Sequence, residues 1–298
     1  MSDTHKLWAD LHVPNSQPKD TTFTVMGIPF DGLASARKGA AQAPAHIRRW
    51  THQISPFTED RTCLTDLSVC DLSDFPINDP ATDYDAIAEV IAKLPNIPII
   101  LGGDHSIAIP ILKAQRQRYA NKRLGILWVD AHPDLCDEFN GSRLSHATVL
   151  RRGLDYGIQQ KDICLVAVRS WEMQEMDLIE NGKLNVYPMP MIADIGIEKI
   201  AHKVWRHLSK CDAVHISLDI DCLDPAAAPG TGTPEPGGMT MRQVLHLLKS
   251  LEGLPLVGLD VVEVAPPLDP SESTVFAAIK VIMEFMGVIA RSSKHQSK

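Results

Sequence analysis

Short apolar runs punctuate the chain at residues 23–26, 67–70, 97–101, 124–129, 163–168, 214–218 and 256–262. Each is rich in Ile, Leu and Val on consecutive positions, the pattern of strands buried on both faces of a parallel sheet. Between and after them, stretches at 44–50, 84–93, 107–119, 145–154, 172–181, 195–208, 241–251 and 273–290 predict helices. Strand and helix alternate without a linker, a repeat or a low-complexity tract. The pattern therefore predicts an α/β protein of three layers, α/β/α, with a mostly parallel central sheet. Residues 1–20 read as an irregular N-terminal arm, and 21–298 as a single domain.

Composition narrows the partners. Of the 298 residues 44% are hydrophobic and 22% charged, which is ordinary for a globular chain long enough to bury a sizeable core. The formal net charge is −8, and no Lys/Arg run is interleaved with aromatics, so no nucleic-acid partner is expected. The polar first twenty residues carry no apolar segment of the secretory type. Lys280 and Glu284 interrupt the apolar stretch 275–290, which reads as a buried helix rather than a membrane span. Six cysteines without C-x-x-C spacing read as buried or half-buried free thiols in a reducing cytoplasm.

The chemistry lies where the apolar runs stop. Run 97–101 ends in Gly102-Gly103-Asp104-His105, run 124–129 in Asp130-Ala131-His132-Pro133-Asp134, run 214–218 in Asp219-Ile220-Asp221, and run 256–262 in Glu263. In an open parallel sheet the carboxyl ends of the strands share one edge, so four distant segments deliver their side chains to one place. A single Asp-x-Asp is ordinarily a solvated loop, and Gly-Gly-Asp-His alone is ordinarily a turn and helix cap. Four such segments at strand ends are not explained as turns, because burying that many carboxylates without cations is costly. Imidazole and carboxylate without thiolate suit Mn, Zn, Fe, Co or Ni. Alternation at spacing two puts Asp130, His132 and Asp134 on one face of an extended segment. Six ligands, with carboxylates able to bridge, point to two metals about 3.5–4 Å apart.

Gly102-Gly103-Asp104-His105-Ser106, Asp130-Ala131-His132-x-Asp134 and Ser217-Leu218-Asp219-Ile220-Asp221-Cys222-Leu223-Asp224-Pro225 resemble the three metal signatures of the arginase/agmatinase (ureohydrolase) family. The likeness extends over Gly27-Ile28-Pro29-Phe30-Asp31-Gly32, Arg37-x-Gly39, Pro44-x-x-Ile47-Arg48, the segment 228–234 and Glu263-Val264-Ala265-Pro266, nearly the whole chain. It implies an arginase-like fold and two Mn²⁺ per subunit, with Ni²⁺ or Co²⁺ as substitutes. One ion would be held by His105, Asp130, Asp134 and Asp219, the other by Asp130, His132, Asp219 and Asp221. The activity implied is hydrolysis of a guanidino group to urea and an amine. Asp134 would help move a proton to the departing amine, Glu263 would pair with the guanidinium, and His146, in Leu144-Ser145-His146-Ala147-Thr148, would shuttle protons.

Two departures bear on substrate. Pro133 stands where Thr is common, which leaves the ligand side chains unaffected. Cys136 stands where arginases place an Asn for the substrate's α-carboxylate, and Arg169-Ser170-Trp171-Glu172 replaces an Asp-rich segment. The chain looks closer to bacterial agmatinases, so agmatine, cleaved to putrescine and urea, is the first-choice substrate. Other guanidino compounds, 4-guanidinobutyrate and arginine among them, stand behind it. Asp137, Glu138 and Glu172 are candidates for the substrate's cationic tail, while Arg143 or Arg151 would serve a carboxylated one. Two readings of another class are a single-metal, deacetylase-like amide hydrolase and a non-catalytic assembly partner on the same scaffold. The complete ligand set speaks against both. The resemblance also implies a homo-oligomer, trimer or hexamer, in the cytoplasm, with no membrane partner.

Overall fold

The computed structural model of the protein describes residues 7–296. Along the chain run β1 (Phe23–Gly27), α1 (Ala43–Thr51), β2 (Val69–Asp74), α2 (Pro80–Ala92), β3 (Ile97–Leu101), α3 (Ala108–Arg118), β4 (Leu124–Val129), α4 (Val149–Asp155) and β5 (Ile163–Val166). There follow α5 (Met176–Glu180), β6 (Asn185–Tyr187), α6 (Met189–Ile195), α7 (Ile197–Leu208), β7 (Ala213–Asp219), α8 (Met241–Ser250), β8 (Leu256–Val262) and α9 (Ser273–Gln296). The eight strands form one sheet in the order β2-β1-β3-β8-β7-β4-β5-β6, and every described pairing is parallel.

The continuous apolar strands resolve into two cores by simple alternation. On β4, Leu124, Ile126 and Trp128 point to one face, where they meet Ile87, Ile91, Ile111 and Leu112 of α2 and α3. Leu127 and Val129 point to the other, against Val204, Leu208, Leu248 and Ile282 of α7, α8 and α9. The sheet is thus the middle of three layers. Over Ser273–Ser292, α9 is long and apolar enough to cross a membrane by composition alone, and 78% of that window is buried in the second core.

Residues 7–20 carry a 3₁₀ turn, Pro18–Asp20, and an isolated parallel bridge from His12 to Val69. They pack nonetheless: Trp8 is fully buried, and its indole N–H donates to Asp71 Oδ2 at 2.9 Å. β6 has no apolar run to announce it, being a three-residue edge strand of half-buried residues. β2 starts two residues later than the run at 67–70 and ends in polar positions exposed at the sheet edge.

The strand order places the chemistry. The chain crosses from β3 to β4 over a gap later filled by β8 and β7. The carboxyl ends of β3, β8, β7 and β4 therefore stand side by side at the middle of the sheet, where ligands bind in such folds.

Candidate metal centre

The end of β3 turns under tight steric control. Asp104 N donates to Phe30 O at 2.7 Å, and a Cβ on Gly103 would lie 1.7 Å from that oxygen, so only glycine fits. Asp104 then caps the next turn, accepting from Ser106 N at 3.0 Å and Leu33 N at 2.9 Å. The neighbouring end of β8 is locked to it twice. Glu263 N donates to Gly103 O at 2.8 Å, and Glu263 Oε1 accepts from His105 N at 2.8 Å. Glu263 and Asp134 adopt left-handed backbone, φ 61° and 52°, a strain of about 1–3 kcal/mol each that aims both side chains at the cluster.

Three aspartates follow one rule. Asp130 Oδ1 accepts from His132 N (2.6 Å), Asp219 Oδ1 from Asp221 N (2.8 Å), and Asp221 Oδ1 from Ala131 N (3.1 Å). Each carboxylate commits one oxygen to a backbone N–H, Asp130 and Asp219 within their own loops and Asp221 across to the loop after β4, and turns the other inward. His105 Nδ1 meets Asp130 Oδ2, Asp134 Oδ2 and Asp219 Oδ2 at 3.0, 3.2 and 3.2 Å. His132 Nδ1 meets Asp221 Oδ2 at 3.1 Å and Asp130 Oδ1 at 3.4 Å. Two ligand groups result, His105/Asp130/Asp134 and Asp130/His132/Asp221, each with its donor atoms within 4.8 Å of one another, and Asp130 is common to both.

This donor set fits cations. His105 Nδ1 and Asp130 Oδ2 are buried without a hydrogen bond although they face each other, an orphaned pair that a shared ion satisfies. Burial, then Asp130, pushes the Asp134 carboxyl up to about 6. Burial with Asp221 and Asp130 drives Asp219 well above the carboxylate range, and burial raises Asp221 too. Burial pulls the other way on Asp130, but adjacent His105 and His132 hold it low. Without cations the cluster carries more negative charge than its two imidazoles offset.

His146 sits beside this cluster on the 3₁₀ turn His146–Thr148 that leads into α4. Its Nδ1 lies 3.6 Å from Glu263 Oε1 and its Nε2 2.9 Å from Ser35 Oγ. Burial lowers its pKa, but Glu263, with Asp134 and Asp104, outweighs burial and holds it at about 9. A cavity of about 150 Å³ opens over His132, Asp134, Asp219 and His146, walled by Phe139, Trp171, Glu172 and Glu175.

Of the residues proposed for the substrate tail, Glu172 lines this cavity. Asp137 and Glu138 do not. Asp137 is gripped by Arg143 and Arg152, both at 2.6 Å, and Glu138 is exposed, its carbonyl accepting from Gln174 at 3.0 Å. Arg143 and Arg151 face Asp137 and Asp155 rather than the cavity. Cys136 is buried, its N–H on Ala147 O.

Two residues were not legible from the motifs. Trp128 stacks on His105 with ring centroids 4.3 Å apart and donates Nε1–H to the backbone O of His132 at 3.2 Å, so it braces the His105 imidazole and the His132 backbone. Its signal was a Trp two positions before Asp130. Glu175 is buried and ties two loops by accepting from Leu135 N (2.8 Å) and Glu172 N (2.9 Å). Only its place three residues after Glu172, the spacing of a capping box, marks it.

Comparison with known proteins agrees with this geometry. The sequence model described as "Arginase family" matches residues 21–287. An agmatinase of Chromobacterium violaceum is 35% identical over 272 residues, covering 88% of this chain and 82% of that one. A mitochondrial guanidino acid hydrolase of Homo sapiens is 31% identical over 281 residues, covering 91% and 79%. The crystal structure of an agmatine ureohydrolase of Thermoplasma volcanium superposes with a TM-score of 0.86 at 30% identity, covering 97% and 96% of the two chains.

Proposed function

Because the chain belongs to the arginase family, hydrolases acting on the C–N bonds of amidines, we propose that it cleaves a small guanidino compound with a cationic tail, agmatine first, to urea and the amine. The observation that carries the reading is the pair of ligand groups sharing Asp130 around two orphaned buried atoms. When bound, two Mn²⁺ ions, or Ni²⁺ or Co²⁺ in their place, supply the positive charge that acidifies water to near neutrality.

The chain's own groups do the rest. Trp128 and the loop hydrogen bonds hold the ligand atoms in place before any ion arrives, so little reorganisation opposes binding. Glu263, fixed on His105 N and 3.6 Å from the cavity-lining His146, would offer its carboxylate to the planar fork of guanidinium donors. His146, its Nδ1 3.6 Å from Glu263 and lining the cavity together with Asp134, is placed to pass a proton to the departing amine. At the mouth Glu172 supplies a carboxylate, and among the described residues no Lys or Arg lines the cavity. That lining suits an ammonium tail and offers an α-carboxylate hydroxyls such as Ser35 and Ser170 but no guanidinium or ammonium to offset the cost of burying its charge.

Two ligand groups favour this reading over a single-metal amide hydrolase. A cytoplasmic homo-oligomer, trimer or hexamer, completes the proposal. Urea release over agmatine, L-arginine and 4-guanidinobutyrate tests it. kcat/KM for agmatine is expected to exceed that for arginine at least about tenfold, ~1.4 kcal/mol of discrimination. Equal activity on arginine, or preference for 4-guanidinobutyrate, overturns the tail assignment. No urea from any guanidino compound overturns the activity.

A further inference from the structure

Behind the cluster, inside the sheet, lies a run of polar groups that no part of the chemistry above uses. Gln115, His215, Ser217 and Asp260 are each fully buried. They form one chain: Gln115 Nε2 to His215 Nδ1 (3.1 Å), His215 Nε2 to Asp260 Oδ1 (2.6 Å), Ser217 Oγ to Asp260 Oδ2 (2.6 Å), and Ser217 Oγ to His105 Nε2 (2.9 Å). Gly258, paired with His215 across β7 and β8, makes room for it. A Cβ there would lie 2.5 Å from Gln115 Nε2 and 2.7 Å from His215 Nδ1.

The direction of every bond in this chain is determined. Arg118, which can only donate, holds Gln115 Oε1 at 3.3 Å, and Val257 O lies 3.5 Å from Nε2, so the Gln115 amide presents N–H to His215. His215 Nδ1 therefore accepts, and its Nε2–H donates to Asp260. Asp260 accepts on both oxygens and takes the one hydroxyl proton of Ser217. Ser217 Oγ has only lone pairs left for His105, so His105 Nε2 must carry hydrogen. In the neutral ring, the form that binds a cation, the lone pair is then on Nδ1, the atom that faces Asp130, Asp134 and Asp219. A lone pair aimed at three carboxylates is useful only to a cation.

We infer that Asp260, acting through Ser217 and held by His215 and Gln115, is a positioning residue that selects the Nε2–H tautomer of His105 and so keeps Nδ1 free for the metal. This rests on the metal-centre reading of the preceding section. Asp260→Asn retains shape but can turn an N–H towards Ser217, whose hydroxyl then donates to His105 Nε2. The hydrogen moves to Nδ1, where no ion can bind. Ser217→Ala cuts the connection without reversing it.

The test is equilibrium dialysis of wild type, Asp260→Asn, Ser217→Ala and the double variant against Mn²⁺, read by elemental analysis, with far-UV circular dichroism to show folding. Asp260→Asn is expected to weaken one of the two Mn²⁺ sites by about 10–100-fold, the usual cost of losing a ligand's supporting partner. Adding Ser217→Ala should recover part of that loss, because the hydroxyl that transmits the reversed polarity is gone. A double variant that binds as weakly as Asp260→Asn, or more weakly, overturns the inference. The wild-type protein gives a second reading that needs no variant to fold. With ¹⁵N-labelled histidine in the Zn²⁺-loaded form, His105 and His215 should both show protonated Nε2 and bare Nδ1. An imidazolium or an Nδ1–H at His215 overturns the assigned direction while leaving the metal centre intact. A wild-type protein that binds no Mn²⁺ or Zn²⁺ overturns the metal reading itself, and this inference with it.

Discussion

Stripped of metal, the protein should lose stability as pH rises from about 6 to about 8.5, and Mn²⁺ should abolish that loss. His146 is held at about 9 in the fold, above its ordinary value, so its stabilising proton is fully present below the unfolded pKa of 6.5 and lost as pH passes through 9. Between the two test pH values this amounts to about 2 kcal/mol. Burial raises Glu175 to about 7 from 4.5 despite the Glu172 N–H. An acid with a raised pKa also stabilises at low pH, and its contribution disappears as pH rises through about 7, a further ~1 kcal/mol over the same window. His105, whose carboxylate neighbours raise it against burial, titrates with the same sign. Asp130, held low, changes only in acid and stays out of the window. A loss of about 3–4 kcal/mol corresponds to roughly 5–6 °C in Tm at ~2.1 cal/mol/K per residue of unfolding entropy. Differential scanning fluorimetry of chelator-dialysed protein reads this directly. With Mn²⁺ bound, the cations replace those protons and disfavour a charged His146, so Tm should rise relative to the bare protein, most at high pH. A metal-free Tm that is flat or climbs over the window, or no Mn²⁺ shift near pH 8.5, would refute the charge argument.

Other outcomes follow from single contacts. Wild type should hold close to two Mn²⁺ per chain, and Asp219→Ala should lose both by elemental analysis; one tightly bound ion in a fully active enzyme contradicts the two-site geometry. His146→Ala should lower urea turnover by about 10²–10⁴ with metal content unchanged, the span of a general acid–base group; full activity at neutral pH would make this histidine structural. Gly103→Ala drives a Cβ into Phe30 O and should abolish metal binding even where the protein still folds, as measured by dialysis and circular dichroism. Trp8→Ala empties a fully buried site in the arm and should cost about 3–5 kcal/mol in urea denaturation; a change under about 1 kcal/mol would show that the arm is not part of the core.

What could be read from sequence divides along a physical line. The clustering of the candidate metal ligands was legible because each motif is local, beginning where an apolar strand stops, and because parallel topology brings strand ends together whatever their order. The order itself, with β8 and β7 inserted between β3 and β4, leaves no local trace, and neither does β6, whose half-buried edge residues need no apolar run. Asp137 and Glu138 were candidates for their charge, and charge in a loop says nothing about whether a carboxylate will be claimed by arginines, as Asp137 is, or stand exposed, as Glu138 does.

The supporting chain is the instructive case. His215 and Ser217 interrupt the apolar run at 214–218, and Asp260 interrupts the run at 256–262, all inside strands that have no solvent face. A polar side chain in such a strand must find a hydrogen-bond partner there or be severely destabilising. With β7 and β8 adjacent and in register, Ser217 is directly paired with Asp260 and their side chains meet. The interruption is thus a sequence signal in its own right, equal in kind to the aspartates at the strand ends. It becomes readable only once the neighbour of each strand is known. The outward aspartates describe what the centre binds; these inward residues determine whether His105 is ready to bind it.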